Sequence, residues 1–323
     1  MKESNQPLVS ICCLAYNQEK YIKQTLEGIL MQKTDFPYEI IIHDDASTDN
    51  TSKIILDYEK KYPSIIRTII QEENQFSKGN KCALNLFKEA KGKYIAFCEG
   101  DDYWIDPKKL QKQIEFLLSH QECSLYAHFV KKYIEDQKKY SRTIPPIKIK
   151  KINNLIDVLK YSGLIPSLSM VFKTEIIHNL PEVYYQVPYE DLMLKVLCAE
   201  KGKIGLINEV MGIYRIHNQN MTRVDPKKFM RMKLKNFIIL YNYLKHNLKA
   251  KRILYPKKLN LALSLYFHNE SKLNLKQILK MPTDIYESIY TPYLTLIFLI
   301  KFLDIKVPKF LKKNLPFFKK YKR

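Results

Sequence analysis

The sequence predicts a layered α/β fold with a covered, mostly parallel sheet, and three observations carry that reading. Short apolar runs of strand length recur through the first 130 residues. Segments with helical spacing separate them, and each connection is long enough to be a crossover, which implies parallel pairing with right-handed connections. The polar residues that follow the runs are not spread evenly: they cluster after the first, second and fourth.

The strand-length runs are Leu8–Ala15, Tyr38–His43, Ile65–Ile70, Tyr94–Cys98 and Ser124–Val130. Between them, Glu19 to Met31 places Ile22, Leu26, Ile29 and Leu30 on one face. Asp49-Asn50-Thr51 supplies cap chemistry for a helix carrying Ile54, Ile55 and Tyr58. Lys81 to Ala90 aligns Leu84 and Phe87, and Pro107 suits the first position of a helix through Leu110, Ile114, Leu117 and Leu118. From about 131 to 165 the chain turns polar and basic around Pro145-Pro146, which predicts an irregular connection. Ile165–Lys173 predicts a strand, residues 188–203 a helix with Glu190 and Asp191 in its first turn, and Gly205–His217 an extended segment. Beyond Asp225 the alternation stops, and Lys-rich amphipathic helices interrupted by Pro256, Pro282 and Pro292 are expected. The domains expected are therefore 1–225, the layered α/β unit, and 226–323, a basic helical appendage.

With 323 residues and 46% hydrophobic composition the chain is globular. Its 54 Lys and Arg against 33 Asp and Glu give a net charge of +21, which suits nucleic acid or an anionic membrane surface. No RNP-like, helix-turn-helix or zinc signature accompanies the charge, so nucleic acid is not expected as a partner. The six cysteines lack C-x-x-C spacing and lie in apolar runs, as small buried hydrophobes do in a reducing cytoplasm. The N-terminus shows no signal peptide, and the longest apolar stretch, from Tyr293, falls short of the ~20 residues of a spanning helix.

In open α/β sheets ligands bind at the carboxyl ends of strands. Those ends read Tyr16-Asn17-Gln18-Glu19, Asp44-Asp45-Ala46-Ser47 and Glu99-Gly100-Asp101-Asp102. Two carboxylates about 4 Å apart repel by roughly 4 kcal/mol at an effective dielectric of about 20, so Glu99, Asp101 and Asp102 call for a cation. Oxygen ligands suit Mg²⁺ or Mn²⁺. A plainer use of the same acids is helix capping, by Asp102 or Asp106 before Pro107 and by Ser47 or Asp49 in the earlier loop. Asp44 at its strand tip could accept hydrogen bonds from a nucleobase or ribose. Glu190 and Asp191 suit either a helix N-terminus or a general base. His217, beside Arg215, is either structural or a contact to metal or diphosphate. The loops hold neither G-x-G-x-x-G nor a P-loop, which argues against a dinucleotide enzyme and against a nucleotidyltransferase that makes a sugar nucleotide.

Taken in order, PLVSICCLAYNQEKYI, EIIIHDDASTDNT, GKYIAFCEGDDYWIDPKKLQKQ, YEDLMLKVL and YRIHNQNMT resemble the family 2 glycosyltransferases over residues 7 to 222. The resemblance implies a GT-A fold and inverting transfer of a sugar from a nucleotide diphosphate, UDP by family habit, to a saccharide or lipid-linked acceptor. It places Ala15, Tyr16, Asn17 and Glu19 beside the nucleotide, with Asp44 on base or ribose. Glu99 and Asp101 fall in the D-x-D region, with Asp101 or Asp102 holding Mn²⁺ or Mg²⁺. Asp191 matches the catalytic base, and His217 the late histidine near metal and phosphate. Glu99 stands where the family more often has Asp. Residues 73–93 lack the family's Arg-Asn pair, so Lys78 or Lys81 is assigned to the nucleotide in its place, Lys81 first. The interleaved Lys, Phe and Leu of residues 293–323 suit the interface of an anionic bilayer, which implies a cytoplasmic enzyme at the inner face of the membrane in cell-surface polysaccharide assembly.

Overall fold

The computed structural model describes residues 6–145, 150–161 and 165–267. The strands are β1 (Val9–Ala15), β2 (Tyr38–Asp44), β3 (Ile66–Ile70), β4 (Tyr94–Glu99), β5 (Tyr103–Trp104), β6 (Cys123–Ile134), β7 (Lys139–Ile144), β8 (Ile152–Asn153), β9 (Val171–Lys173) and β10 (Lys203–Ile216). The helices are α1 (Ile22–Leu30), α2 (Thr51–Lys61), α3 (Cys82–Lys88), α4 (Lys109–Ser119), α5 (Leu155–Lys160), α6 (Glu175–His178), α7 (Val183–Gln186), α8 (Asp191–Lys201), α9 (Met221–Val224), α10 (Pro226–Tyr243) and α11 (Leu248–Phe267).

One sheet runs in the order β3-β2-β1-β4-β9-β6-β10-β5, with β7 added beside β6 and β8 beside β10. The pairs β1–β2, β1–β4, β2–β3 and β6–β10 are parallel, and β9 is inserted antiparallel between β4 and β6. Strand order reverses at β1, with β2 on one side and β4 on the other, which is the topological switch where a ligand crevice opens. Register finishes the work: Ala15 lies opposite Asp44, and Leu14 opposite Glu99. Three polar loops therefore leave the sheet at one level.

The core explains the strands. Ile11, Cys13, Ile40, Ile42, Tyr94, Ala96 and Cys98 are buried between α1, α4 and the sheet, and β1, β2 and β4 read as continuous apolar runs because both faces are covered. The six thiols are free and buried. Helix α1 presents Gly28 to β5 so closely that a β-carbon there would stand 2.8 Å from the Trp104 carbonyl oxygen and 3.0 Å from its nitrogen. Both are backbone atoms that cannot swing aside. Gly28→Ala should accordingly destabilise the protein by about 1–3 kcal/mol, seen as a lowered urea midpoint with an unchanged slope.

Three expectations need correction. Residues 131–145 are not irregular: β6 runs on to Ile134, a 3₁₀ turn at Glu135–Gln137 and the left-handed Lys138 reverse the chain, and β7 returns. This hairpin is solvated on its outer part, so it shows no apolar alternation for the sequence to reveal. Only Val171–Lys173 of the predicted strand at 165–173 is extended, because Ser169 donates its hydroxyl to the Pro166 carbonyl at 2.6 Å and winds Ser167–Ser169 into a 3₁₀ turn. The helix expected from Pro107 begins two residues later, with Asp106 Oδ1 accepting from the Lys108 amide at 2.8 Å.

The chain divides into two compact units, residues 1–225 and 226–323. In the second, α10 and α11 pack Leu234, Leu259 and Ala262 together with Met230, Ile238 and Tyr255. Pro256 does not break α11 but lies inside it. Pro282, Pro292 and the 293–323 segment lie outside the described residues. Among the described residues no helix is long and apolar enough to cross a membrane.

Candidate active site at the carboxyl edge of the sheet

The loop after β1 is bound to the loop after β2 amide by amide. The amides of Asn17, Gln18 and Glu19 donate to Ser47 Oγ, Thr51 Oγ1 and Asp49 Oδ2 at 2.8, 2.7 and 3.1 Å. In return Asn17 Oδ1 accepts from the Thr48 amide, and Glu19 Oε2 accepts from the amide and side chain of Asn50. Asn17 and Ala46 both have left-handed backbones, with φ of 52° and 61°. Asn tolerates that region, whereas Ala46 is held there by the surrounding bonds. Tyr16 is left 45% exposed at the rim.

Asp44 differs from its expected role as an open acceptor for base or ribose. It is fully buried; one oxygen accepts from the Ser47 hydroxyl, and the other from the Ser47 amide at 3.2 Å and the Ser52 hydroxyl at 2.6 Å. The adjacent Asp45 likewise accepts from the amides of Gln75 and Phe76 at 2.7 and 3.0 Å, fixing the loop after β3. Lys81 also points elsewhere than at an open pocket: its ammonium donates to the Val187 carbonyl, tethering the start of α3 to the segment before α8.

The acidic turn separates its three carboxylates into three tasks. Glu99 Oε1 accepts from the Ser167 hydroxyl at 2.6 Å, while Oε2 is out of solvent with no partner. Burial lifts the Glu99 carboxyl to about 7, against the pull of the Ser167 bond. Asp101 Oδ2 faces His217 Nε2 at 2.9 Å, and the Asn220 amide reaches both, at 3.2 and 3.0 Å. Asp102, expected as a metal ligand, is turned inward. It is 2% exposed, and its Oδ1 accepts from the Arg215 amide at 2.8 Å. Burial pushes its carboxyl well above the usual range, with the neighbouring acids adding to the rise. Nor does it cap α4, whose N-cap residue Lys108 has no side-chain cap and instead donates its amide to Asp106.

Arg215 holds this turn. Its guanidinium donates to the Asp101 carbonyl at 2.8 Å, to Glu135 at 2.8 Å and to Gln24 at 2.6 Å, and it lies over the rings of Tyr21 and Tyr103 at 4.7 and 5.0 Å. Sequence reasoning named Arg215 only as a neighbour of His217. It missed Ser167, Gln24 and Glu135, which lie far apart in the chain and carry no motif, and it passed over Asn220 inside YRIHNQNMT, three residues after His217.

Asp191 opens α8 on the same edge of the sheet. Its Oδ2 receives the Lys195 ammonium at 3.0 Å, and that ammonium also donates to the Ile165 carbonyl at 2.9 Å. Lys195 is 2% exposed and so cannot follow solvent. The i,i+4 spacing could have revealed the pair from sequence. Asp191 Oδ1 is out of solvent and without a partner. Burial raises the pKa of the Tyr214 hydroxyl, and the charges of Asp102, Asp101, Glu99 and Asp191 add to the rise. Glu190 is half-buried beside them; burial raises its carboxyl to about 7 while the Lys81 charge pulls the other way.

Among the described residues no three His, Cys, Asp or Glu side chains converge as a complete metal cage. Asp101 Oδ2 and His217 Nε2, paired with each other at 2.9 Å, are the groups that could hold a hard divalent cation, which with few protein ligands takes its remaining ligands from substrate phosphates and water. His217 Nδ1 has no partner. A separate cleft of about 830 Å³, at the amino ends of β1 and β4 between Pro7, Pro37, Gly92 and Lys173, lies at the other end of these strands from the acids.

Known proteins share this architecture. In the solved structure of Staphylococcus aureus TarS 1–349 in complex with UDP-GlcNAc, 84% of this chain and 78% of that one superpose with a TM-score of 0.57 at 18% identity. The Pyrobaculum calidifontis mannosyltransferase PcManGT in complex with GDP-Man and Mn²⁺ gives 0.55 at 15% identity over 90% and 83%. At that identity the likeness establishes the GT-A fold alone. By sequence, an uncharacterized protein of Mycobacterium tuberculosis is 37% identical over 68% of this chain, which spans 63% of that relative's length. The Escherichia coli enzyme named UDP-Glc:alpha-D-GlcNAc-diphosphoundecaprenol beta-1,3-glucosyltransferase WfaP is 33% identical over 69% of this chain and 83% of its own. The profile described as "Glycosyl transferase family 2" matches residues 10–177, from β1 through the acidic turn to α6. A match of that extent, on a fold that brings the same segments to one edge, makes this chain a member of glycosyl transferase family 2.

Proposed function

We propose that the protein is an inverting glycosyltransferase that moves a sugar from a nucleotide diphosphate, UDP in the first instance, to a hydroxyl of a saccharide or lipid-linked acceptor. The observation that carries this reading is the bare Oδ1 of Asp191, held by Lys195 on the same sheet edge as Glu99, Asp101 and His217. A carboxylate oxygen with no donor from the protein is suited to take a proton from an acceptor hydroxyl. The hydroxyl then attacks the anomeric carbon from the face opposite the departing diphosphate, so configuration inverts. Glu99 Oε2, also bare, would receive a hydroxyl of donor sugar or ribose. Ala15, Tyr16, Asn17 and Glu19 form the nucleotide side of the crevice, shaped from behind by Asp44. Lys81 contributes by anchoring the chain before α8.

Asp101 and His217 would hold Mn²⁺ or Mg²⁺. When bound, the ion supplies positive charge to the leaving diphosphate. The name of the E. coli relative supports a UDP-sugar donor and a lipid-linked acceptor, which fits work on cell-surface polysaccharide from the cytoplasmic face of the membrane, with the basic segment 293–323 contacting anionic lipid. Calorimetry of UDP, GDP and dTDP with and without Mn²⁺ tests the nucleotide assignment. One nucleotide should bind with metal dependence, and Asp101→Asn should weaken it about tenfold or more. Binding of no diphosphate, with or without metal, would refute this reading.

A further inference from the structure

Every backbone carbonyl from Ile165 to Met170 accepts a hydrogen bond. Two of the donors belong to the 3₁₀ turn and its flank: Ser169 Oγ reaches the Pro166 carbonyl at 2.6 Å, and the Met170 amide reaches the Ser167 carbonyl at 3.0 Å. The other four come from four different elements. Lys195 Nζ of α8 donates to Ile165 at 2.9 Å, Trp104 Nε1 of β5 to Leu168 at 2.9 Å, Gln113 Nε2 of α4 to Ser169 at 3.0 Å, and the Phe97 amide of β4 to Met170 at 3.3 Å. The three side chains among these donors are buried, so water does not contest their bonds and the segment is held in one conformation.

The two serines of the turn divide the work. Ser169 closes it, whereas Ser167 donates outward to Glu99 Oε1 at 2.6 Å. Two residues earlier, the Ile165 carbonyl holds the Lys195 ammonium that in turn holds Asp191 Oδ2 at 3.0 Å. One short mount thus carries two carboxylates, each gripped by one oxygen, and the remaining oxygens, Glu99 Oε2 and Asp191 Oδ1, are out of solvent and without a partner. A hydroxyl has a single proton, so a Ser167 that donates to Glu99 keeps its lone pairs for another donor beside Oε2. Sheet order gives the pair a direction. β4 has β1 and then β2 on one side and β9 on the other. Ser167 lies on the β9 side, because the chain that follows it bonds through Met170 to Phe97 and sets Val171 opposite Ala96. Glu99 is therefore drawn away from the loops after β1 and β2.

We infer that Ser167 is a positioning residue that turns Glu99 towards the transferred sugar, and that the Glu99–Ser167 pair reads a hydroxyl of that sugar and not of the nucleotide's ribose. This inference rests on the glycosyltransferase reading above and narrows it. The ribose follows the base, on the side of the loops after β1 and β2, whereas the anomeric carbon has to come within reach of the acceptor oxygen that Asp191 deprotonates. The acid that shares a mount with Asp191 is the one placed for the sugar.

The test uses the intact chain and its Ser167→Ala, Ser167→Thr and Glu99→Gln variants, with thermal midpoints checked first. Ser167→Ala deletes no bond inside the turn, which Ser169 closes, and Ser167→Thr restores the hydroxyl. Calorimetry in the presence of Mn²⁺ compares UDP with UDP-glucose, UDP-galactose and UDP-N-acetylglucosamine. GDP and GDP-mannose, or dTDP and dTDP-glucose, take their place if that nucleotide is the one bound. Ser167→Ala and Glu99→Gln should each weaken the sugar nucleotide that the wild type binds best by about tenfold and leave the bare diphosphate within about twofold, while Ser167→Thr stays within about twofold for both. A parallel loss for the bare diphosphate puts the pair on ribose or phosphate and overturns the inference. Unchanged binding of the sugar nucleotide by Ser167→Ala makes the serine a structural tie and overturns it too, as does a loss in Ser167→Thr equal to that in Ser167→Ala. A wild type that binds the bare diphosphate but none of its sugars has the same consequence. A wild type that binds no nucleotide at all fails the donor reading itself, and the inference falls with it.

Discussion

Asp191→Asn should lower turnover by about 10²–10⁴-fold while leaving metal-dependent binding of the nucleotide within about twofold. The substitution keeps the shape of the side chain and removes its capacity to accept a proton. Oδ2 is fixed by the Lys195 ammonium at 3.0 Å, and Lys195 is itself fixed by the Ile165 carbonyl, so the carboxylate cannot rotate freely to a substitute geometry. Oδ1 alone is left for the acceptor. Stopped assays of sugar transfer, run beside calorimetry of the nucleotide on the same preparation, separate chemistry from binding. Near-wild-type turnover in the variant would remove Asp191 from the role of base. A parallel collapse of nucleotide binding would show that the residue shapes the site instead of acting in it.

Much of the architecture was legible because buried strands on both sides of a sheet announce themselves as apolar runs. β1, β2, β3 and β4 fall where those runs lie, and the convergence of their loops follows from parallel order alone. The hairpin β6–β7 was not legible, since solvated strands need no apolar alternation, and Lys131, Lys132 and Arg142 read simply as polar chain. In the site, residue type marked where chemistry gathers but not which atom is open. Asp44, Asp101 and Asp102 are the same residue type at strand tips. One is saturated by Ser47 and Ser52, one meets His217, and one is folded under the Arg215 amide. Those partners lie from three to over a hundred residues away, and the distant ones are set by tertiary contacts that no local pattern encodes.

Arg215 is the second residue on which a large effect is expected, as a positioning residue and not as a catalytic one. Its guanidinium spans the Asp101 carbonyl, Glu135 and Gln24, and Arg215 is 4% exposed. A lysine keeps one charge but presents a single point where the fork made three separate bonds, so Arg215→Lys leaves buried acceptors without donors. Stability should fall by about 3–5 kcal/mol, and metal-dependent nucleotide binding should weaken by about tenfold or more in the fraction that remains folded, because the Asp101 carbonyl is released and its carboxylate drifts from His217. A loss of stability by itself would not show positioning, and Glu135→Gln supplies the comparison. That change removes the ion pair on the hairpin side while the Asp101 bond at 2.8 Å stays in place. It should lower the thermal midpoint yet leave the Mn²⁺ dependence of nucleotide binding unchanged. If both variants lost the Mn²⁺ dependence in proportion to their lost stability, Arg215 would be a structural tie only. If Arg215→Lys alone lost it, the guanidinium would be what keeps Asp101 in register with His217.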